Sequence, residues 1–165
     1  MSLVELMFQA HQLDAFVLLA SCDKIVPGMV MAAAILNVPA ILINGGPMLG
    51  GIEFDGRKSD GTAADEAMGM LSAGKITRED VDKLIDAACP GCGSCSFFGT
   101  ANTMGCAIEA LGMSLSGSAV IPAVYAARLR YSYENGRKIV ELTIKNIRPN
   151  DIIHKATIRN SINAT

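Results

Sequence analysis

Two short apolar runs organise the first third of the chain. Phe16-Val17-Leu18-Leu19-Ala20 ends in Ser21-Cys22-Asp23, and Ala40-Ile41-Leu42-Ile43 ends in Asn44-Gly45-Gly46-Pro47. Runs this short, apolar at successive positions, predict strands buried on both faces, as in a parallel sheet. Between them Met29 to Leu36 is rich in helix formers, with Asn37 placed to cap its C-terminus. Strand, helix and strand in succession make a βαβ unit, and a short helix is expected before it over 3–12. Ligands bind such sheets beyond the carboxyl ends of the strands. Cys22-Asp23-Lys24 and Asn44-Gly45-Gly46 both fall there.

The rest of the chain alternates between loops and helical patterns. Residues 48–61 are rich in glycine and charge and read as a loop. Thr62 is expected to cap a helix running to about Leu71. Thr77-Arg78-Glu79-Asp80 has the form of a capping box, and Val81, Leu84, Ile85 and Ala88 then share one apolar face. That helix stops at Cys89-Pro90-Gly91-Cys92-Gly93-Ser94-Cys95. Met104, Ala107, Ile108 and Leu111 predict another helix, closed by Gly112. A short strand is expected at 119–121, and helices at 123–134, 137–144 and 151–162. No repeat or composition break divides the chain. The expected fold is one α/β unit over 1–165, a parallel or mostly parallel sheet flanked by helices.

Composition narrows the function. The chain has 165 residues, of which 50% are hydrophobic and 18% charged, so it is too apolar to be disordered. A net charge of −2 supplies no basic field for a nucleic-acid backbone. Aromatic residues are only 5% and Trp is absent, which disfavours a base-stacking surface. The apolar run Ala15 to Ala20 is far too short to span a membrane. The first residues carry Glu5 and Asp14 and no Lys or Arg, unlike a secretory leader. Five cysteines without an export signal point to reduced thiols or metal ligands in the cytoplasm, not to disulfides.

Cys89-x-x-Cys92-x-x-Cys95, with Cys106 further on, is the sharpest local signal. Thiolates at this spacing, in a loop opened by Gly91 and Gly93, can converge on a soft metal centre. The competing reading is a set of small residues at a turn between helices. Zinc would need a fourth ligand, and His11 and His154 are isolated. A ferredoxin-like electron carrier using Cys89, Cys92, Cys95 and Cys106 would need a spacing that the chain lacks. Cys22-Asp23-Lys24 gains interest from its place at a strand end. Gly99-Thr100-Ala101-Asn102-Thr103 opens a helix and can either bind an anion or simply cap it.

Together these segments resemble a known family. Ser21-Cys22-Asp23-Lys24-Ile25-Val26-Pro27-Gly28-Met29 is similar to the CDK-x-x-PGM motif of the dihydroxy-acid dehydratase / 6-phosphogluconate dehydratase family. Cys89 to Cys95 resembles its CPxxGxC motif, and Ile43-Asn44-Gly45-Gly46-Pro47-Met48 its GGPM loop. Thr100-Ala101-Asn102-Thr103-Met104 and Glu109-Ala110-Leu111-Gly112 match its TAN-x-M and EALG segments. The motifs run in family order from about Val4 to the last residue. The resemblance implies an incomplete part of the amino-terminal α/β domain of a longer enzyme, inactive on its own.

The resemblance also implies the chemistry. The family dehydrates a 2,3-dihydroxy carboxylic acid to a 2-keto acid, with an iron–sulfur cluster (2Fe-2S or 4Fe-4S) and Mg²⁺. Cys22 and Cys95 match two cluster ligands, 73 positions apart, and a third is expected upstream. Asp23 matches a Mg²⁺ ligand, and Lys24 a lysine that is carbamylated in some members. The catalytic base is expected outside this chain. The implied substrate is a small dihydroxy acid, in first place that of branched-chain amino-acid synthesis, with a sugar acid such as an aldonate or 6-phosphogluconate as the alternative. A homo-oligomer, dimer or tetramer, is expected of the full-length enzyme.

Overall fold

The structure is a computed structural model that describes residues 1–165. Helix α1 (Ser2–His11) leads into β1 (Phe16–Ala20), α2 (Ile25–Leu36) and β2 (Ala40–Asn44). The strands pair in parallel, with Phe16 opposite Ala40 and Ala20 opposite Asn44. This is the expected βαβ unit. Pro27 falls in the first turn of α2, where a missing N–H is tolerated best. Asn37 closes the helix in the left-handed conformation, its amide donating to the Ala33 carbonyl at 2.9 Å.

The strands differ in burial. All of β2 is buried, while Val17 and Leu19 of β1 are exposed. The expectation that both strands are buried on both faces therefore holds for β2 and fails for β1. Strand β2 has a second neighbour: the Leu42 amide donates to the Met113 carbonyl at 2.8 Å, and the Ser114 hydroxyl to the Leu42 carbonyl at 2.8 Å. Strand β1 is an edge, and its outward side chains Val17 and Leu19 stay largely exposed.

The segment expected as a loop holds a small hairpin, β3 (Glu53–Phe54) and β4 (Arg57–Lys58). Helix α3 (Gly61–Ser72) follows. Its cap is Asp60, not Thr62: the Asp60 carboxylate accepts from the amides of Thr62 and Ala63. Both residues could cap, but the Thr62 hydroxyl is spent donating to Asp60 Oδ1 at 2.6 Å. Helix α4 (Arg78–Ala87) starts at the predicted capping box of Thr77 and Asp80. Ala63 and Ala67 of α3 pack on Val81, Leu84 and Ala88 in a small core of their own.

Helix α5 (Thr100–Leu111) ends at Gly112, left-handed as predicted. It lays Ile108 and Leu111 against Leu18, Leu42, Val26 and Met113, the main core around the sheet. The strand expected at 119–121 is absent. Side chains satisfy that backbone instead: Glu109 accepts from the Ala119 amide, and Arg128 donates to the carbonyls of Ser118 and Ile121. The helices expected at 123–134 and 137–144 are one, α6 (Ala126–Ile144), which runs through Gly136. Asn135 is fully buried, and its amide nitrogen bonds the Tyr131 carbonyl one turn back instead of breaking the helix. The last expected helix is divided into α7 (Pro149–Ile152) and α8 (Lys155–Ala164). No helix is long and apolar enough to cross a membrane.

Candidate active site

The candidate site lies where three loops meet beyond the carboxyl ends of β1 and β2. The first is Ser21-Cys22-Asp23-Lys24, which turns the chain from β1 into α2. The Cys22 carbonyl already accepts from the Val26 amide at 3.1 Å, so Cys22 sits at the entrance of the helix. The Cys22 thiol is exposed and lies 3.5 Å from Asp23 Oδ1. Asp23 Oδ2 accepts from the Lys24 ammonium at 2.7 Å. That bond holds the Asp23 carboxyl below its ordinary pKa and raises that of Lys24. The pair is solvent-exposed, so it fixes local charge more than it stabilises the fold.

The second loop is Gly45-Gly46-Pro47-Met48. The Gly45 amide prolongs the ladder by donating to the Ala20 carbonyl at 2.9 Å. Any Cβ on Gly45 would collide with Ser21, so the first two loops pack directly on each other. Gly46 has φ of 90°, a conformation that favours glycine. The buried Asn44 carboxamide oxygen steadies the turn by accepting from the Gly46 amide at 3.0 Å.

The third loop carries Cys89, Cys92 and Cys95. It is stitched to the second by a parallel bridge: Ser94 donates its amide to the Gly46 carbonyl at 3.0 Å, and Met48 donates to the Ser94 carbonyl at 2.8 Å. Gly93 lies too close to Pro47 and Met48 for any side chain. Asn102 of α5 holds the loop from behind. Its amide nitrogen donates to the carbonyls of Cys95, at 3.0 Å, and Phe97, at 2.7 Å. Its oxygen accepts from the Ser94 hydroxyl at 3.3 Å. Within the Gly99–Thr103 segment Asn102 is neither a cap nor a free donor but a clamp on the Cys95 loop. Nothing local in the sequence signals that role, because the bonds reach across a turn to main-chain groups.

Cys22 and Cys95 thus flank one loop: Ser21 rests on Gly45 and Ser94 on Gly46. Both thiols are exposed, as are those of Cys89 and Cys92. Cys106, on α5, is half-buried, and burial together with Glu109 raises its thiol pKa. No three His, Cys, Asp or Glu side chains converge to hold a metal ion. His154 is the N-cap of α8, and His11 ends α1, both apart from the loops. The donor types around the Gly45–Met48 loop fit both implied groups: thiols for iron and sulfide, a carboxylate for Mg²⁺. Their number within these residues falls short of a full set for either. Beside the Cys95 loop lies an open cavity of about 230 Å³, lined by Pro47, Ser96, Phe98, Asn102, Cys106, Ala119 and Val120.

Comparisons with known proteins bear on this arrangement. A family model described as "Dihydroxy-acid/6-phosphogluconate dehydratase N-terminal" matches residues 1–165. The dihydroxy-acid dehydratase of Halothermothrix orenii is 50% identical over 159 residues, covering 96% of this chain and 29% of that protein. That of Caldicellulosiruptor saccharolyticus is 53% identical over 159 residues, with the same shares, 96% and 29%. The dihydroxy-acid dehydratase of Methanospirillum hungatei is 51% identical over 159 residues, again 96% of this chain and 29% of that protein. The chain spans less than a third of the length of these curated relatives. By its motifs, its βαβ unit and a match along its whole length, the chain belongs to the dihydroxy-acid/6-phosphogluconate dehydratase family, to the amino-terminal part of it.

Proposed function

We propose that this chain forms part of the active site of a hydro-lyase that turns a 2,3-dihydroxy carboxylic acid into a 2-keto acid. The reaction removes the C2 proton and the C3 hydroxyl as water, and the resulting enol tautomerises to the ketone. The observation that carries the reading is the single loop, Gly45–Met48, flanked by Cys22-Asp23-Lys24 on one side and Ser94-Cys95 on the other. In this reading Cys22 and Cys95 are ligands of an iron–sulfur cluster, and Asp23 with Lys24 contributes to a Mg²⁺ site. The relatives are about three times longer than this chain, which leaves room for the remaining ligands and the base. When bound, the two groups supply Lewis acidity, for the departing hydroxyl and for the carboxylate end of the substrate.

This chain's own residues then have definite tasks. Asn102 and Ser94 hold the main chain that carries the Cys95 thiol. Asp23 offers a carboxylate that stays ionised at neutral pH. Its present partner, the Lys24 ammonium, cannot bind a cation. A carbamate on Lys24 would remove the positive charge and offer oxygen, the donor that Mg²⁺ prefers. Carbamylation would consume a neutral amine, so the ion pair with Asp23 opposes it.

The cavity beside the Cys95 loop supports one substrate class over the other. Pro47, Phe98, Ala119 and Val120 give it an apolar wall. That wall suits the short branched alkyl end of a precursor in branched-chain amino-acid synthesis better than the hydroxyls of a sugar acid, which would lose their hydration there. The test is anaerobic purification of the full-length enzyme and assay on 2,3-dihydroxyisovalerate and a panel of aldonic acids. Keto-acid formation from the alkyl substrate, with kcat/KM roughly tenfold or more above the aldonates, is expected. The reverse preference would favour a sugar-acid dehydratase, and no turnover of either would refute the assignment.

A further inference from the structure

We propose that Arg128 of α6 is a positioning residue for this site: it fixes the loop that separates Cys22 from Cys95. The inference rests on the cluster reading above for its functional meaning, and on the following geometry for its substance. Arg128 is only 5% exposed. It has no carboxylate partner. Its guanidinium donates instead to main-chain carbonyls: Asn44 at 2.6 Å, Ser118 at 2.8 Å, and Ile121. Asn44 is the last residue of β2 and the start of the Gly45–Met48 loop. Ser118 and Ile121 belong to the segment that lies on that loop's outer side, where the Ala123 amide donates to the Pro47 carbonyl at 2.9 Å.

The contacts form one continuous path. Arg128 and Ile121 press on Gly46 so closely that a Cβ there would clash with both. The Gly46 carbonyl in turn receives the Ser94 amide, and Ser94 precedes Cys95. On the other side Gly45 meets Ser21, and Ser21 precedes Cys22. One side chain thus ties the end of β2 to the 118–121 segment and presses on the loop that carries both cysteine-bearing turns. A planar fork suits the task, because it can reach three carbonyls of fixed direction at once, which an ammonium cannot. A residue that only filled volume here would be apolar, since a buried cation without a counter-ion is expensive to desolvate.

The experiment uses the full-length enzyme with Arg128→Gln and Arg128→Lys, and Leu84→Ala as a destabilising control in the separate α3–α4 core. Amide hydrogen exchange is read on cluster-free protein, and iron release on the reconstituted holoenzyme. In Arg128→Gln, protection at 44–48 and 93–96 should fall by about tenfold or more, the effect of losing a charged hydrogen bond. Iron release should accelerate by a similar factor, while protection at 78–88 stays at the wild-type level. Arg128→Lys should lie between Gln and wild type. Leu84→Ala should loosen 78–88 and leave both loops protected. Unchanged exchange at 44–48 and 93–96 in Arg128→Gln would overturn the proposal. So would a parallel loss at 78–88, which would mark Arg128 as a general stabiliser. Wild-type enzyme that binds no iron would refute the cluster reading instead, and the exchange result would still judge Arg128.

Discussion

At Lys24 the chemistry turns on charge. Its ammonium is 2.7 Å from Asp23 Oδ2, and its side chain is 85% exposed, so no packing depends on it. An arginine there would keep the ion pair and form no carbamate. In the full-length enzyme Lys24→Arg should lower Mg²⁺-dependent turnover by roughly 100-fold, the scale of losing support to a metal site. Thermal unfolding should stay close to wild type, as for other exposed substitutions. Steady-state rates across a Mg²⁺ titration, with a melting curve alongside, check this. Near-wild-type rates would leave Lys24 as a solvated partner of Asp23. The placement of the candidate residues was legible at this scale. Cys22, Asp23, Lys24 and Cys95 stand in motifs, and their places at element ends follow from strand and helix patterns. Asn102 and Arg128 were not legible. Their work is done by side-chain bonds to main-chain carbonyls, across a turn for Asn102 and from α6 to the end of β2 for Arg128, which no residue pattern marks.

Among the elements, helix starts show how local chemistry decides boundaries. Asp60 is a cap whose charge matters. Burial alone would raise its pKa, but the Thr62 hydroxyl and amide, the Ala63 amide and Arg57 outweigh it, and the net shift is downward. A lowered folded pKa means the stabilisation is fully present above the ordinary carboxylate value and is lost as pH falls through the lowered one. Asp60→Ala should therefore destabilise α3 at neutral pH, by about 0.5–2 kcal/mol, the usual range for a lost N-cap. The difference between variant and wild type should shrink in strong acid. Amide exchange within 61–72, compared at the two pH values, reads it; an equal difference at both would deny the charged cap. The same scale shows where pattern reading stopped. The βαβ unit, the capping box and Gly112 were legible because each is a local device. The run at 119–121 looks like a strand, yet Glu109 and Arg128 take its hydrogen bonds, and a distant side chain cannot be seen in a five-residue window. The helices expected at 123–134 and 137–144 join in α6, where burial of Asn135 makes it part of the helix's packed face.

For the whole molecule, surface area is informative. A folded monomer of this mass is expected to expose about 7,800 Å². The chain exposes 9334 Å². Apolar side chains stand out on β1 at Val17 and Leu19, on α1 at Leu3 and Leu6, and on α6 at Leu129, Tyr133, Val140 and Ile144. Patches of this kind mark surfaces that meet other protein. The curated relatives are about three times as long as this chain. The central claim is that Cys22 and Cys95, distant in sequence, serve one cluster across the Gly45–Met48 loop. Anomalous diffraction at the iron edge from crystals of the full-length holoenzyme, grown without oxygen, tests it most directly. Iron should be bonded to the sulfurs of both Cys22 and Cys95, with Cys89 and Cys92 unligated. Iron held by Cys89, Cys92 and Cys95 together, with Cys22 remote from it, would contradict it.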